Sequence, residues 1–237
     1  MGKYPIGVTV EHGYRTMTCR YENGGIKTIH LEFPSGDLPT IVTVSFRDGG
    51  EARWECKYLT SYHRQFGVSV SRDGSRVFAQ TWEMGVLCFD SRTGQRLWKT
   101  KSRRGVTTMV VNEKTLCCHR HEYSLQLLDM ETGEVIAEKR PAKGWGADVL
   151  TERYLLCQTT ARRWEIICTE DLRVAAVLTR NELLAVEAEL KAAAPAEEGC
   201  WCFRGVEYDG ENLLLDYFWS GESRLSRIVP VSYKISE

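Results

Sequence analysis

Features that point directly to a function are scarce in this 237-residue sequence. Its formal net charge is −1, so the overall charge predicts neither a nucleic-acid nor a membrane partner. No run approaches the roughly 18 apolar residues of a membrane-spanning helix, and the polar N-terminal stretch is unlike a signal peptide. These absences predict a cytoplasmic protein, which we expect to be bacterial, with no membrane partner.

Motifs of common enzyme and metal sites are also missing. There is no Gly-x-Ser-x-Gly, no phosphate-binding loop and no His-Glu-x-x-His. Cys117, His119 and His121 would share one side of a strand, but no second Cys/His pair lies at ligand spacing, so core thiols with a surface histidine are favoured over zinc. The nine cysteines are an odd number and several sit in apolar runs, so we expect reduced core thiols and no metal.

The strongest positive signal is a repeat. The segment 77–97 matches the segment 116–136 at an offset of 39 residues, and the chain from Leu155 matches again at the same offset. Each copy contains short strand-like runs separated by turn signals. Four short antiparallel strands in about 40 residues are typical of one blade of a β-propeller.

The repeat predicts an all-β fold, a single β-propeller domain spanning 1–237. We expect five four-stranded blades, at about 14–58, 66–105, 106–144, 145–180 and 200–237. A helical insertion is predicted within 181–199, with a helix over 181–194 that has Asn181 as its N-cap and ends before Pro195. The strand at Ile6–Val10 is expected to close the ring against the last blade.

Two copies share a particular turn. Both 85–98 and 127–136 contain Asp-x-x-Thr-Gly, in which Asp accepts hydrogen bonds from its own turn and Gly takes a positive φ. This pattern resembles the turns of quinoprotein-like and WD-like β-propellers, and the resemblance implies an architecture without a particular activity. Quinone-dependent dehydrogenases of that superfamily have about eight blades, whereas this chain has room for five, so we expect no cofactor.

Function is predicted from where the connections of a propeller converge. One edge is expected to be acidic and to receive Asp73, Asp90, Glu113, Glu131, Glu152, Asp209 and Glu211. The other is expected to be basic and aromatic, with the candidate partner-binding residues Trp82, Arg103, Arg104, His121, Tyr123, Lys143, Trp145, Arg162, Arg163 and Trp219. Since Arg and Trp are enriched at interaction hot spots and Arg pairs with carboxylates, we predict a non-catalytic module that binds an acidic protein, as a scaffold or a toxin-immunity protein.

Other interpretations of the same residues stay open. The tryptophans could pack between blades while the arginines are merely solvated. A pI near 6.5 argues against nucleic acid as the partner. The alternative function is a hydrolase acting on glycans through the channel carboxylates Asp148 and Glu207. Oligomeric state does not follow from the sequence.

Overall fold

The computed structural model describes residues 7–35, 38–57, 59, 67–81, 85–100, 105–120, 124–140, 147–151, 153–160, 163–223 and 225–233. Within them the chain forms five antiparallel sheets and one α-helix. All nine cysteines are free thiols, and seven of them are buried. In the part of the chain described, no helix has the length and apolar character needed to cross a membrane.

Each sheet is a meander in which strands adjacent in sequence pair with one another. The first sheet contains β1 (Val8–Gly13), β2 (Thr16–Tyr21), β3 (Ile26–Glu32), β4 (Thr40–Phe46) and β5 (Glu51–Cys56). The second contains β6 (Val68–Val70), β7 (Arg76–Thr81), β8 (Gly85–Asp90) and β9 (Arg96–Lys99). The third contains β10 (Val106–Val111), β11 (Thr115–Arg120), β12 (Ser124–Asp129) and β13 (Val135–Lys139).

The remaining two sheets flank the helix in sequence. The fourth contains β14 (Ala147–Val149), β15 (Tyr154–Thr160), β16 (Arg163–Cys168) and β17 (Val174–Leu178). The helix α1 (Arg180–Ala192) follows, and the fifth sheet contains β18 (Trp201–Tyr208), β19 (Asn212–Trp219) and β20 (Ser226–Ser232). The strands β6, β10, β14 and β18 are the inner strands, because they contact one another in succession. In the first sheet β2 takes the equivalent place, since Tyr21 at its end donates its hydroxyl to the carbonyl of Val68 on β6, and β1 pairs on the far side of β2.

Four apolar clusters join neighbouring sheets. They lie between the first and second sheets, the second and third, the third and fourth, and the fourth and fifth. We call the side of each sheet that packs on the next sheet its forward face. In the middle three sheets each forward face carries three equivalent side chains that are at most 7% exposed: Phe78, Val86 and Cys88; Cys117, Leu125 and Leu127; Leu156, Trp164 and Ile166.

Tryptophans on outer strands connect each early sheet to the next. Trp54 on β5 packs on Gly94 and donates its indole N–H to the carbonyl of Ser91 at 3.2 Å. One repeat later, Trp98 on β9 packs on Gly133 and donates to the carbonyl of Met130 at 3.0 Å. Both glycines have φ of +70°. A Cβ at either position would lie 2.4 Å from the indole, so the turn must be glycine as long as the tryptophan is present.

The third such contact uses a different pair of side chains. The residue 39 positions after Trp98 is Ala137, and the residue 39 positions after Gly133 is Leu172. Leu172 keeps the left-handed backbone, with φ of +59°, and is buried in one apolar cluster with Ala137. Asn112 replaces the indole as donor, at 2.8 Å to the carbonyl of Thr169. In the earlier sheets a large outer-strand tryptophan packs on a turn glycine, whereas here a small outer-strand alanine packs with a large turn leucine.

The predicted helical insertion is confirmed, although its cap is not Asn181. The N-cap is Thr179, whose backbone N–H and hydroxyl both donate to the Glu182 carboxylate, at 2.6 and 2.7 Å. Thr-x-x-Glu is the capping-box spacing, a stronger start signal than a single Asn. Leu183, Val186 and Leu190 are buried against the fourth and fifth sheets, so this helix packs on its own domain.

The prediction that the N-terminal strand pairs with the last blade is wrong. The strand β1 pairs along its whole length with β2, through a tight turn in which Arg15 has φ of +60°. Closing so short a loop costs far less entropy than bringing together the two ends of the chain. No apolar cluster within the described residues joins the fifth sheet to the first.

The first sheet presents a polar face on the side away from the second sheet. A cross-strand row on this face runs through β1 to β5, in the order Glu11, Thr18, His30, Thr43 and Arg53. These side chains are exposed or half-buried, and Thr18 hydrogen-bonds His30 at 2.8 Å. Covering this row with an apolar sheet would remove charged groups from water without replacing their hydration.

Candidate functional site

The strand directions define two edges of the array. The turn edge carries the turns between inner and second strands and those between third and outer strands. The loop edge is the opposite one. Hydrogen bonds between turns of neighbouring sheets, such as Gly25 N–H to the carbonyl of Arg72 at 3.1 Å, bring the turn edges of those sheets together. The loop-edge ends of the same antiparallel strands therefore also lie on one side of the array.

Most of the predicted partner-binding residues lie outside the described residues. The residues of the set that the structure does not describe are Trp82, Arg103, Arg104, His121, Tyr123, Lys143, Trp145 and Arg162. The structure describes the other two, Arg163 and Trp219. Both stand at loop-edge ends of strands, at the start of β16 and the end of β19. The assignment of this set to partner binding stays a prediction.

Arg163 and Trp219 have different environments. The Arg163 side chain is 56% exposed, and its Nε donates to Glu165 at 3.0 Å. Trp219 is buried, packs edge-on against Trp201 and donates its indole N–H to Glu197 at 2.8 Å. Of these two residues, only Arg163 offers a charged group to an incoming molecule, while Trp219 stabilises the loop-edge end of the fifth sheet.

Carboxylates at the turn edge stabilise the turns by accepting hydrogen bonds from their backbone N–H groups. Asp90 Oδ1 accepts from the backbone N–H groups of Arg92 and Thr93 and from the Thr93 hydroxyl, at 2.8 to 3.1 Å. Asp129 accepts in the same way from Glu131 and Thr132. These bonds, chiefly the backbone N–H of Thr93 or Thr132, hold the pKa of each carboxyl below its usual value.

The turn edge is mixed in charge and not simply acidic as predicted. Ion pairs join Arg76 to Glu131, Arg92 to Asp48 and Arg153 to Glu170. The prediction counted acidic turn residues without the arginines that alternate with them. A cavity of about 930 Å³ opens at this edge, lined by residues of the first four sheets that include Arg72, Lys114 and Arg153.

The carboxylates of the alternative hydrolase lie on two different sheets. Asp148 is half-buried on β14, and Glu207 is exposed on β18. Neither is among the described residues that line the cavity. Their strands, β14 and β18, are inner strands that contact each other, so a catalytic role for this pair stays a prediction.

One pair of thiols differs from the other cysteines. Cys200 is exposed and Cys202 half-exposed, and their sulfur atoms are 3.7 Å apart. The Ser220 hydroxyl lies 3.4 Å from Cys200 Sγ, and this contact, followed by that with Cys202, lowers the pKa of the Cys200 thiol. Burial raises the pKa of Cys19 and Cys118 to about 12. The Cys-x-Cys spacing on a strand was the sequence signal for this pair, since residues i and i+2 share a face.

Alkylation is expected to distinguish these two groups of cysteines. Iodoacetamide at pH 8 should add one group rapidly to the native protein, at Cys200, and a second more slowly at Cys202, whose thiol pKa is raised by burial, because thiolate fraction and access control the reaction. The remaining seven cysteines should react only after unfolding. Intact-mass spectrometry with peptide mapping measures the sites, and Cys200→Ser provides the control without the rapid addition. Equally fast modification of Cys19 or Cys118 would contradict the burial described above.

Comparisons with known proteins identify the architecture. A family model described as "Outer membrane protein assembly factor BamB" matches residues 27–139. The crystal structure of BamB from Moraxella catarrhalis superposes with a TM-score of 0.50 at 12% identity, and the WD40 domain from Toxoplasma gondii coronin with 0.52 at 10%. No curated protein matches the chain by sequence.

These matches bear on the fold and not on the activity. Each superposition covers 95% of this chain but only 65% of the BamB chain and 63% of the coronin chain. The five sheets thus correspond to a part of each longer array. Together with the repeat of antiparallel meanders, the comparisons confirm an all-β structure with one helix and the architecture of the quinoprotein-like and WD-like β-propellers.

Proposed function

We propose that this protein is a non-catalytic binding module that captures an acidic protein partner with its loop edge. The observation that supports this proposal most directly is the strand topology. The strands that flank the segments 82–84, 101–104, 121–123, 141–146 and 161–162 all meet them at the loop edge. These segments carry most of the Arg, Lys and Trp residues of the candidate set.

Two further features favour a binding role. Two arginines of the turn edge, Arg76 and Arg92, are paired with Glu131 and Asp48, which makes them less available to an acidic partner. The matching family model is described as an assembly factor, a role in keeping with a rigid scaffold. A toxin-immunity protein would use the same surface. Nine free thiols suit the reducing cytoplasm, which we propose as its location.

Charge reversal at the loop edge tests the proposal. The variant Arg103→Glu, Arg104→Glu, Arg162→Glu and Arg163→Glu should lose capture of the acidic partner by at least about 100-fold, because each contact becomes repulsive. Affinity purification followed by mass spectrometry identifies the partner, and titration of the purified pair gives the Kd. Circular dichroism checks that the fold is retained.

A matched control carries the same change in net charge on the turn edge. It combines Arg72→Glu, Arg92→Glu, Lys114→Glu and Arg173→Glu, all at exposed side chains. This control should bind like the unmodified protein. Equal loss in both variants would indicate attraction by overall charge alone, and unchanged binding by the loop-edge variant would refute the proposed surface.

A further inference from the structure

The Cys200–Cys202 pair combines access with close contact between two thiols. The other seven cysteines are buried, whereas Cys200 is exposed, Cys202 is half-exposed and their Sγ atoms are 3.7 Å apart. Two residues of extended chain separate their Cα atoms by about 6.6 Å, within the range of about 4.4 to 6.8 Å that disulfides span. A small movement of the side chains can therefore bring the two sulfur atoms to bonding distance.

Trp201, the residue between the two cysteines, is anchored on the opposite side of the strand. Its indole N–H donates to the carbonyl of Leu190 on α1 at 2.8 Å, and its ring packs edge-on against Trp219. Since successive side chains of a strand point to opposite faces, the anchored Trp201 holds both thiols together on the other face. Two groups held side by side react with each other far faster than with groups of a second molecule.

The Cys200 thiol lies at the loop edge, beyond the level at which neighbouring sheets pack on one another. Of the three buried forward side chains in the second sheet, Val86 lies nearest the loop edge, opposite Gln80. The residue of β19 equivalent to Gln80 is Asp216, and Cys200 stands opposite Ser220, farther toward the loop edge. Small molecules can therefore approach Cys200 from the loop edge.

Ser220 favours the ionisation of Cys200 over that of Cys202. Its Oγ accepts the backbone N–H of Cys200 at 3.0 Å, so its own hydrogen is available for Cys200 Sγ at 3.4 Å. This contact, followed by that with Cys202, lowers the pKa of the Cys200 thiol, whereas burial raises the pKa of Cys202. An accessible thiolate beside a thiol that keeps its proton has the two roles that thiol–disulfide exchange needs.

The pair suits disulfide chemistry better than metal binding. A structural zinc ion takes four ligands. In the described part of the chain no third Cys, His, Asp or Glu side chain joins these two thiols to make a metal site. A disulfide needs only the two sulfur atoms that are already in contact.

We propose that Cys200 and Cys202 form a thiol–disulfide exchange site for small disulfides of the glutathione type. The Cys200 thiolate attacks one sulfur of the small disulfide, a mixed disulfide forms, and one small thiolate leaves and takes a proton from water. Cys202 then gives its proton to water and attacks Cys200 Sγ, which closes the Cys200–Cys202 bond and releases the second small thiol. The pair loses two electrons and two protons, and the small disulfide is reduced to two thiols. This chemistry does not depend on the proposed acidic partner.

Reaction of the reduced full chain with oxidised glutathione tests the site. Intact-mass spectrometry after acid quenching should show the loss of two hydrogen atoms, and peptide mapping should place the new bond between Cys200 and Cys202. Dithiothreitol should restore the original mass, because exposed disulfides are readily reduced. Cys202→Ser should stop at one glutathione bound to Cys200, since the second attacking thiol is missing. Cys200→Ser should react at least about 10-fold more slowly than the unmodified chain.

The variant Ser220→Ala tests the positioning role of the hydroxyl. Its profile of reaction rate against pH should shift to higher pH, because Cys200 loses the donor that stabilises its thiolate. The control Ser226→Ala, at an exposed residue of β20, should keep the unmodified profile, and circular dichroism shows that each variant folds. A glutathione adduct that persists on the unmodified chain, a covalent dimer through Cys200, or equal rates for Cys200→Ser and the unmodified chain would overturn the proposal.

Discussion

The double variant Trp98→Ala with Gly133→Leu is expected to be more stable than the sum of its two single changes predicts. Gly133→Leu alone should lose about 3 kcal/mol or more, since its Cβ would overlap the indole and its backbone would be strained. Trp98→Ala alone should lose about 3 kcal/mol by leaving a cavity and removing a hydrogen bond. Together they recreate the pair that Ala137 and Leu172 form one repeat later.

A double-mutant cycle from urea unfolding measures the coupling. We expect it to be favourable by about 1 to 3 kcal/mol, the range for residues in direct contact. The matched control combines Trp98→Ala with Gly94→Leu, because Gly94 faces Trp54 and not Trp98. That pair should be additive. Additivity in both pairs would show that the turn residue and the outer-strand residue do not share one space.

Acid is expected to unfold this protein through its turn aspartates. The pKa values of Asp90, Asp129 and Asp209 are all lowered, principally by backbone N–H groups of their own turns. A carboxyl with a lowered folded pKa stabilises the native state above its unfolded pKa, near 3.9, and this contribution is lost as pH falls through the folded value. The free energy of unfolding should therefore fall steeply below about pH 4.

Removing the charge tests this origin of the acid sensitivity. Asp90→Asn with Asp129→Asn keeps a side-chain oxygen as acceptor but binds no proton. The number of protons taken up on unfolding between pH 2 and 5, which sets the slope of the unfolding free energy against pH, should therefore fall by up to two. Urea unfolding at several pH values measures the slope. Glu113→Gln with Glu51→Gln, which removes two exposed negative charges from outside these turns, is the control for the change in net charge. Equal slopes in both double variants would argue against the turn aspartates.

The repeat made most of the fold predictable. A period of 39 residues with turn signals makes Asp90 equivalent to Asp129 and Gly94 equivalent to Gly133. The structure confirms the meanders that this repeat implies. The fourth sheet kept its register after losing Asp, Thr and Gly because Leu172 adopts the same positive φ and donates its N–H to Cys168 at 3.0 Å, as Gly133 does to Asp129. The compensating change in side-chain size, from Trp98 to Ala137 and from Gly133 to Leu172, involves residues of two different sheets, so neither repeat shows it alone.

The surfaces were harder to predict than the sheets. Sorting turns to edges identified Asp90 correctly as a turn residue, but charge alone could not show that Arg76 and Arg92 pair with the neighbouring carboxylates. Ile228, which is 59% exposed, looks like any core strand residue in the sequence, because burial depends on whether a further sheet covers it. The pairing of β1 with β2 followed from one short turn, for which the sequence Gly13-Tyr14-Arg15 gave little signal.

Tyr233 illustrates how an outer strand avoids unwanted association. Its hydroxyl donates to the carbonyl of Val177 at 3.3 Å and accepts the N–H of the same residue at 3.1 Å. Val177 belongs to β17, the outer strand of its sheet, whose free backbone groups would otherwise offer a template for strand addition. By occupying one donor and one acceptor there, a single phenol discourages the edge-to-edge growth that leads to fibrils.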